Sequence, residues 1–329
     1  MVPYHQAHFI LMGRGYLVEK TLDWFLEILP KAKANAARNG YKGARWPKMI
    51  DPEAFDSPSI IAPLLVWQQP HILYMLELLR ESRYGKTPVE ETYGISECAF
   101  LEKYKPLVLE TAVFMADYVV YHAEKGVYEI LPPVIPVQEN HPPRITKNPS
   151  FEVAYWRFGL KVAYEWLQAL GETHPEFLEV SQKMAPVHIA DGLIEAHENC
   201  TETYTKYNTD HPSMLYSYGM LSDEIDETVL LHSLDTFRKG WNLVSMWGWD
   251  FAMLAMIYEK LGKSGDAYDM LLWETEKNAY VVSGNNAQLS RTDLPLYLPG
   301  NGSLLMAMSL LGNSDTFTVE KEGVMEYPF

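Results

Sequence analysis

Residues 132–156 read PPVIPVQENHPPRITKNPSFEVAYW, with six prolines before Ser150. Proline fixes φ and supplies no amide donor, so no helix can run until Pro149 is passed. Long amphipathic patterns flank the stretch, at 97–123 and 150–170. A stiff polar loop between long helices costs ordering entropy, and such loops are more often functional than decorative. Near its centre sits one carboxylate, Glu139, between Gln138 and the pair Asn140 and His141. Two readings follow. The loop is a packed connector with an exposed Glu, or the rest of the chain is a scaffold that holds Glu139 opposite a second acid.

Helical spacing recurs along the whole sequence. A short helix is expected at 4–13. A longer one is expected at 16–38, kinked or split at Pro30 and stopped at Asn39-Gly40. Residues 59–83 read as helix interrupted at Gln69-Pro70. Further helices are expected at 97–123, 150–170, 175–184, 212–221, 225–238, from Phe251 to Leu261, at 264–275 and at 303–311. The run Val127–Leu131 is strand-like, and the alternating tail TFTVEKEGVMEY reads as a hairpin turning at Glu322-Gly323. Leu-Gly closes a helix at 170–171, 261–262 and 311–312. Helices therefore come in pairs, and long polar loops alternate with short turns. That alternation predicts an all-α fold, an (α/α)6 barrel of helical hairpins with minor β-hairpins, whose long loops gather at one end; a solenoid of helix pairs is the alternative. No composition shift marks a boundary, so residues 1–329 are expected to form one catalytic domain.

A chain of 329 residues that is 47% hydrophobic can bury a large core. Its formal charge of −16 argues against nucleic acid and anionic membrane, which call for clustered Lys and Arg. The two cysteines, Cys98 and Cys200, define neither a disulfide framework nor a metal spacing. The start, MVPYHQAHF, lacks the pattern of a secretory leader, and no apolar run is long enough to span a bilayer. A cytoplasmic location is the expectation, and the oligomeric state is not set by these patterns.

The polar loop residues are mainly carboxylates, amides, His and Trp. No Ser or Cys stands in a nucleophile elbow and no Gly-rich phosphate loop precedes a helix. His5 and His8 sit three apart on the first helix without an evident third ligand, so they read as cleft-lining groups; no metal and no cofactor is expected. Two carboxylates in an uncharged cleft suit acetal hydrolysis, one donating a proton to the leaving oxygen and the other activating water on the opposite face. Glu139 is the candidate acid, because no cation precedes Arg144 in its loop, which leaves room for a raised pKa. Asp250, at the helix start WGWDF, is the candidate base, with Asp210 and Glu198 behind it; the plain alternative for Asp250 is an N-cap. His5, His8, Arg45, Trp46, Lys48, Gln69, Asn208, Asp210, His211, Trp247 and Trp249 are expected to line a cleft for an oligosaccharide or glycoside.

The loop PVQENH, followed by Asn-Pro-Ser-Phe and a Trp-bearing helix, resembles the acid loop of glycoside hydrolase family 65, the maltose, trehalose and kojibiose phosphorylases. GYKGARWPKM resembles that family's G-A-R-F-P-W motif, and NTDHPSMLYSYGML falls where the family has its K-Q-A-D segment. PGNGSLLMAMSLL is similar to the ending of the α-1,2-L-fucosidase family. The resemblance implies a six-hairpin barrel, with Glu139 matching the acid. Two departures matter. Trp247 to Asp250 stand where the phosphorylases have a Ser-Ser phosphate site, which points to water as the nucleophile. Pro299 replaces the fucosidase-type Asp, so that base is not carried over. The β-sandwich domain that usually precedes such barrels is not expected in this chain. The expected activity is an inverting glycoside hydrolase for an α-linked sugar. Its rivals are a sugar epimerase, which needs paired His, a polysaccharide lyase, which needs Tyr and His, and a catalytically inactive carbohydrate-binding barrel.

Overall fold

The computed structural model describes residues 2–86, 88, 94–221 and 225–311. The expected tail hairpin lies outside the described residues. Within them are eleven α-helices: α1 (Val2–Leu11), α2 (Glu19–Arg38), α3 (His71–Tyr84), α4 (Glu97–Tyr118), α5 (Ser150–Ala169), α6 (Pro175–Gln182), α7 (Tyr216–Leu221), α8 (Glu227–Gly240), α9 (Gly248–Lys260), α10 (Ser264–Leu271) and α11 (Leu298–Leu311). Three two-stranded antiparallel hairpins join them: β1 (Val120–His122) with β2 (Val127–Glu129), β3 (Ile189–Ala190) with β4 (Leu193–Ile194), and β5 (Ala279–Tyr280) with β6 (Asn286–Ala287).

The odd-numbered helices close a ring. α1 packs on α3, α3 on α5, α5 on α7, α7 on α9, α9 on α11, and α11 back on α1. The even-numbered helices lie outside it, α2 against α4, α4 and α6 against α5, and α10 against α9. This is the α/α toroid, not a solenoid. Burial follows from the sequence pattern. In α9 every residue from Gly248 to Tyr258 is buried, as a helix apolar on all sides must be. In the outer α2 only one stripe is buried, including Leu22, Phe25, Ile28, Ala32 and Ala36. Each fully buried large apolar side chain contributes about 1.5–3 kcal/mol. Gly302 permits the closing contact: a Cβ there would lie 1.9 Å from the Tyr4 carbonyl oxygen, so α11 and α1 meet backbone to backbone.

Several boundaries differ from expectation. α2 runs through Pro30 unsplit, because its apolar stripe continues on both sides of the missing donor. The 59–68 portion is not α-helix; it holds one 3-10 turn, Ala62–Leu64. α4 stops at Tyr118, and Val120–His122 turns into a strand paired with 127–129. α10 ends at Leu271, and α11 begins at Leu298, so Pro299-Gly300 falls in its first turn, where proline's missing amide costs nothing. The Leu-Gly stops at 170–171 and 261–262 close their helices through a left-handed glycine, Gly171 at φ 78° and Gly262 at φ 67°.

The long loops all lead into inner helices: 39–70 into α3, 119–149 into α5, 183–215 into α7 and 272–297 into α11. The return from α5 to α6 is 170–174 and that from α9 to α10 is 261–263. The N-termini of the inner helices and the long loops therefore share one end of the ring.

Candidate active site

At that end lies a cavity of about 270 Å³, lined by Lys48, Met49, Trp67, Gln68, Val137, Glu139, Asp210, His211, Trp247, Trp249 and Tyr297. All but Trp249, which lies in the first turn of α9, come from segments leading into α3, α5, α7, α9 or α11. Larger grooves exist elsewhere, one of about 540 Å³ on the outer wall beside Phe158 and Val187, but its ionisable groups, Arg157, Lys161 and Asp226, include no pair of carboxylates.

The Glu139 loop is held from three sides. Val137 donates its amide to Glu152 Oε1 at 2.8 Å, Ile135 donates to the Leu64 carbonyl at 2.9 Å, and the Gln138 side chain donates to the Thr209 carbonyl at 2.7 Å. Glu139 does not stand apart from cations, as its own loop suggested. Lys48, from the loop before α3, forms an ion pair with its carboxylate. The charge-free surroundings expected for the acid are therefore corrected by a residue distant in sequence.

The GYKGARWPKM segment explains how Lys48 arrives. Gly43 sits at φ 70°, with its Cβ position only 2.3 Å from the Phe114 amide of α4, so only glycine fits. Trp46 is buried and donates its indole N–H to Thr111 Oγ1 at 2.9 Å. Gln69, wholly buried, accepts from the Trp46 amide at 2.8 Å and donates to the Trp46 carbonyl at 2.7 Å. Arg45 donates to the Pro63 carbonyl and lies over the Phe114 ring. Arg45, Trp46 and Gln69 thus anchor the loop; Arg45 and Trp46 also line a second cavity, of about 460 Å³, that shares Lys48, Met49 and Gln68 with the first, whereas Gln69 lines neither. His5 and His8 on α1 do not line it either. Burial lowers the pKa of both, and His8 packs on Phe9 with ring centroids 4.1 Å apart. Asn208 donates to the Gly240 carbonyl at 2.6 Å, away from the cavity. Glu198 is tied to Lys125, Lys147 and Asn148 on the far side of the acid loop.

Asp250 is the third residue of α9, where its carboxylate completes the cap of that helix, and is 0% exposed. Its Oδ2 accepts from the Trp247 amide at 2.8 Å, and its two oxygens take His211 Nδ1 at 2.8 and 3.0 Å. It stands behind His211 and does not reach the cavity. Burial disfavours the charged His211 ring, but the Asp250 carboxylate, then Asp210 and Glu139, outweigh it and raise the His211 pKa. Asp210 does line the cavity. Its backbone is left-handed at φ 65°, a conformation that strains most residues and that Asp tolerates. The strain is held by the Asp210 amide donating to Ser245 Oγ at 2.8 Å and by Trp241 donating to the Asp210 carbonyl at 3.0 Å. Burial pushes the Asp210 carboxyl up; His211 pulls the other way, and Asp250 and Glu139 add to the rise.

Trp67 and Trp249 stack at 6.2 Å, and Tyr297 meets Trp247 at 5.4 Å. Lys277 and Arg291 lie 4.2 and 5.4 Å from the Trp247 ring. Three lining residues carry buried polar atoms without a protein partner, Trp67 Nε1, Gln68 Oε1 and Trp249 Nε1, while Asp210 Oδ1 has only a long ion-pair contact with His211 Nε2, at 3.4 Å. The sequence reading passed over Trp67, Gln68 and Tyr297. Trp67 and Gln68 lie inside a run whose spacing predicts helix; Tyr297 carries one signal, an aromatic just before a Pro-Gly helix start.

No family profile matches this sequence, and no curated protein matches it. Among solved structures, the chain is similar to one described as "Putative kojibiose phosphorylase from human microbiome", with a TM-score of 0.69 at 13% identity, over 93% of this chain and 48% of that one. The chain thus spans about half the length of the structure it matches. At that identity the likeness establishes the fold. No described helix is long and apolar enough to cross a membrane.

Proposed function

We propose that this protein cleaves a glycosidic bond, with Glu139 as general acid and Asp210 as general base, and that water is the nucleophile. The observation that carries the reading is the cavity lining: two carboxylates from the neighbouring loops before α5 and α7, four aromatic rings, and three buried polar atoms without a protein partner. Buried polar groups are nearly always paired, so this cluster suits a ligand bearing many hydroxyls. The rings offer apolar platforms for the faces of a sugar. A volume of about 270 Å³ is just below the span typical of drug-sized ligands, which favours recognition of a single terminal sugar. An inverting reaction needs its carboxyls about 6.5–9.5 Å apart, with water between them. Asp250 then acts as a positioning residue, holding His211 beside Asp210.

The charge balance favours hydrolysis over phosphorolysis. Lys48 lines the cavity already paired with Glu139, the two cations over the Trp247 ring are engaged by the Ser245 carbonyl (Lys277) and by Asp293 (Arg291), and Asp210 adds further negative charge. A phosphate dianion is poorly served there, and so is the uronate substrate of a lyase. An epimerase with paired His is disfavoured because His211 is the one lining His. A second reading exchanges the two carboxylate roles, favoured by the upward shift of Asp210 and the Lys48–Glu139 ion pair.

The test is turnover on a panel of aryl and natural α-glycosides, with and without phosphate, comparing wild type with Glu139→Gln, and with proton NMR of the first-formed anomer. Phosphate-independent release of an inverted sugar that Glu139→Gln reduces is expected. Strict phosphate dependence, a retained anomer, or full activity of Glu139→Gln would overturn the reading.

A further inference from the structure

Behind the acid loop, on the side away from the cavity, His141, His197 and Cys200 converge. One ligand-capable atom from each lies within 4.8 Å of the others, and all three residues are buried. No spacing in the sequence announced this cluster, because His141 comes from the loop before α5 and the other two from the loop before α7. The backbone brings them together independently of any ligand. Pro149 bridges to His197, Ser150 donates to the Ala196 carbonyl at 3.0 Å, and Glu198 donates to the Lys147 carbonyl at 2.9 Å.

The hydrogen bonds determine the state of His141. The Gln138 amide nitrogen faces the carbonyls of Tyr207 and Thr209, which only accept, so this end of the amide is the NH2. Its Oε1 therefore faces His141 Nε2, at 2.9 Å, and Nε2 must carry the proton. That leaves Nδ1 as a bare lone pair, and this atom is buried with no partner. A ring that donates its far N–H to a carbonyl and turns a free lone pair inward is arranged as metal-bound imidazoles are. His197 Nδ1 takes only a long bond from the Asn199 amide, at 3.2 Å, a weak competitor for an ion. Cys200 Sγ accepts from Thr203 Oγ1 at 3.2 Å.

We infer that His141, His197 and Cys200 form a binding site for a borderline-soft transition-metal ion, zinc in preference, that ties the acid loop to the loop before α7. Two imidazoles and one thiolate are ligands of that class. Bonds of about 2.0–2.3 Å in a tetrahedron set donors about 3.3–3.6 Å apart, so side chains now within 4.8 Å of one another would close by up to about 1.2–1.5 Å on binding. On binding, the Cys200 thiol releases its proton to solvent and sulfur supplies the electron pair; no redox change is involved. Through Gln138, which joins His141 to the Thr209 carbonyl, the ion would steady the segments carrying both Glu139 and Asp210. The site stands independently of the sugar chemistry.

The experiment is a Co2+ titration of the chelator-stripped full chain, read as a thiolate-to-cobalt charge-transfer band in the near ultraviolet and challenged with Zn2+. The expected result is a band that saturates at one ion per chain and is abolished by Zn2+. Cys200→Ser should remove it and Cys98→Ser should leave it; Gln138→Leu should weaken binding by about 10–100-fold. Absence of the band in folded wild type at saturating Co2+, its survival in Cys200→Ser, or its loss in Cys98→Ser would overturn the inference, and wild type alone suffices for the first of these.

Discussion

Replacing Asp210 and Asp250 by Asn in separate variants distinguishes a base in the cavity from a support behind it. Asp210 lines the cavity with its Oδ1 3.4 Å from His211 Nε2, and Asp210→Asn removes the group that would take water's proton. A general base contributes about 10²–10⁴-fold, or about 2.7–5.4 kcal/mol of barrier. Asp250 is different. Its oxygens are occupied by His211 Nδ1 at 2.8 and 3.0 Å and by the Trp247 amide at 2.8 Å. Asn keeps one acceptor and turns an NH2 against one of these donors, so one charge-assisted hydrogen bond is lost, worth about 1.5–3 kcal/mol. If that loss is felt wholly at the reacting end of His211, the rate falls about 10–100-fold. The assay is steady-state hydrolysis of an aryl glycoside with and without azide. Asp210→Asn should recover activity with azide, which needs no deprotonation, and should yield the inverted glycosyl azide. Asp250→Asn should not respond. Glu139→Gln should instead recover on substrates with good leaving groups. A dead, azide-rescued Asp250→Asn beside an active Asp210→Asn would refute this assignment and make Asp250 the base. Azide rescue of Glu139→Gln with leaving-group rescue of Asp210→Asn would exchange the two roles.

Three further outcomes are expected. Burial pushes the Glu152 carboxyl up to about 8, so the folded state holds a proton that the unfolded chain has released, and stability should fall as pH rises from about 4.5 to about 8, by about 1.4 kcal/mol per unit. Glu152→Gln, whose oxygen still accepts from Val137, should flatten that slope in urea unfolding; an unchanged slope would disprove it. Gly302→Ala places a methyl 1.9 Å from the Tyr4 carbonyl, and should cost at least about 1–3 kcal/mol as overpacking between α11 and α1; an unshifted melting temperature would contradict the close crossing. Gln69→Leu leaves the Trp46 amide buried and unpaired and should lower stability by about 1–3 kcal/mol, with KM measured on the folded fraction unchanged, whereas a raised KM at full stability would return Gln69 to the cleft.

What the sequence determined by itself was local. Proline spacing excluded helix from 132–149, left-handed glycines after Leu170 and Leu261 stopped helices there, and three-and-four spacing marked the buried stripe of α2. These are properties of neighbouring residues, and together they carried the toroid. The loops leading into inner helices were legible for the same reason, and with them Glu139, Asp210, His211, Trp247 and Trp249 as polar or aromatic groups at one end. Facing and depth were decided only by the tertiary structure. Lys48 meets Glu139 across 91 residues of chain. Gln69 and Trp46 look like binding groups until their partners are seen to be each other. Asp250 reads as a cleft acid until one turn of α9 carries it behind His211. Periodicity constrains which face of a helix is buried; it does not state which loop from another hairpin will close over it, because that depends on contacts between residues far apart in the chain.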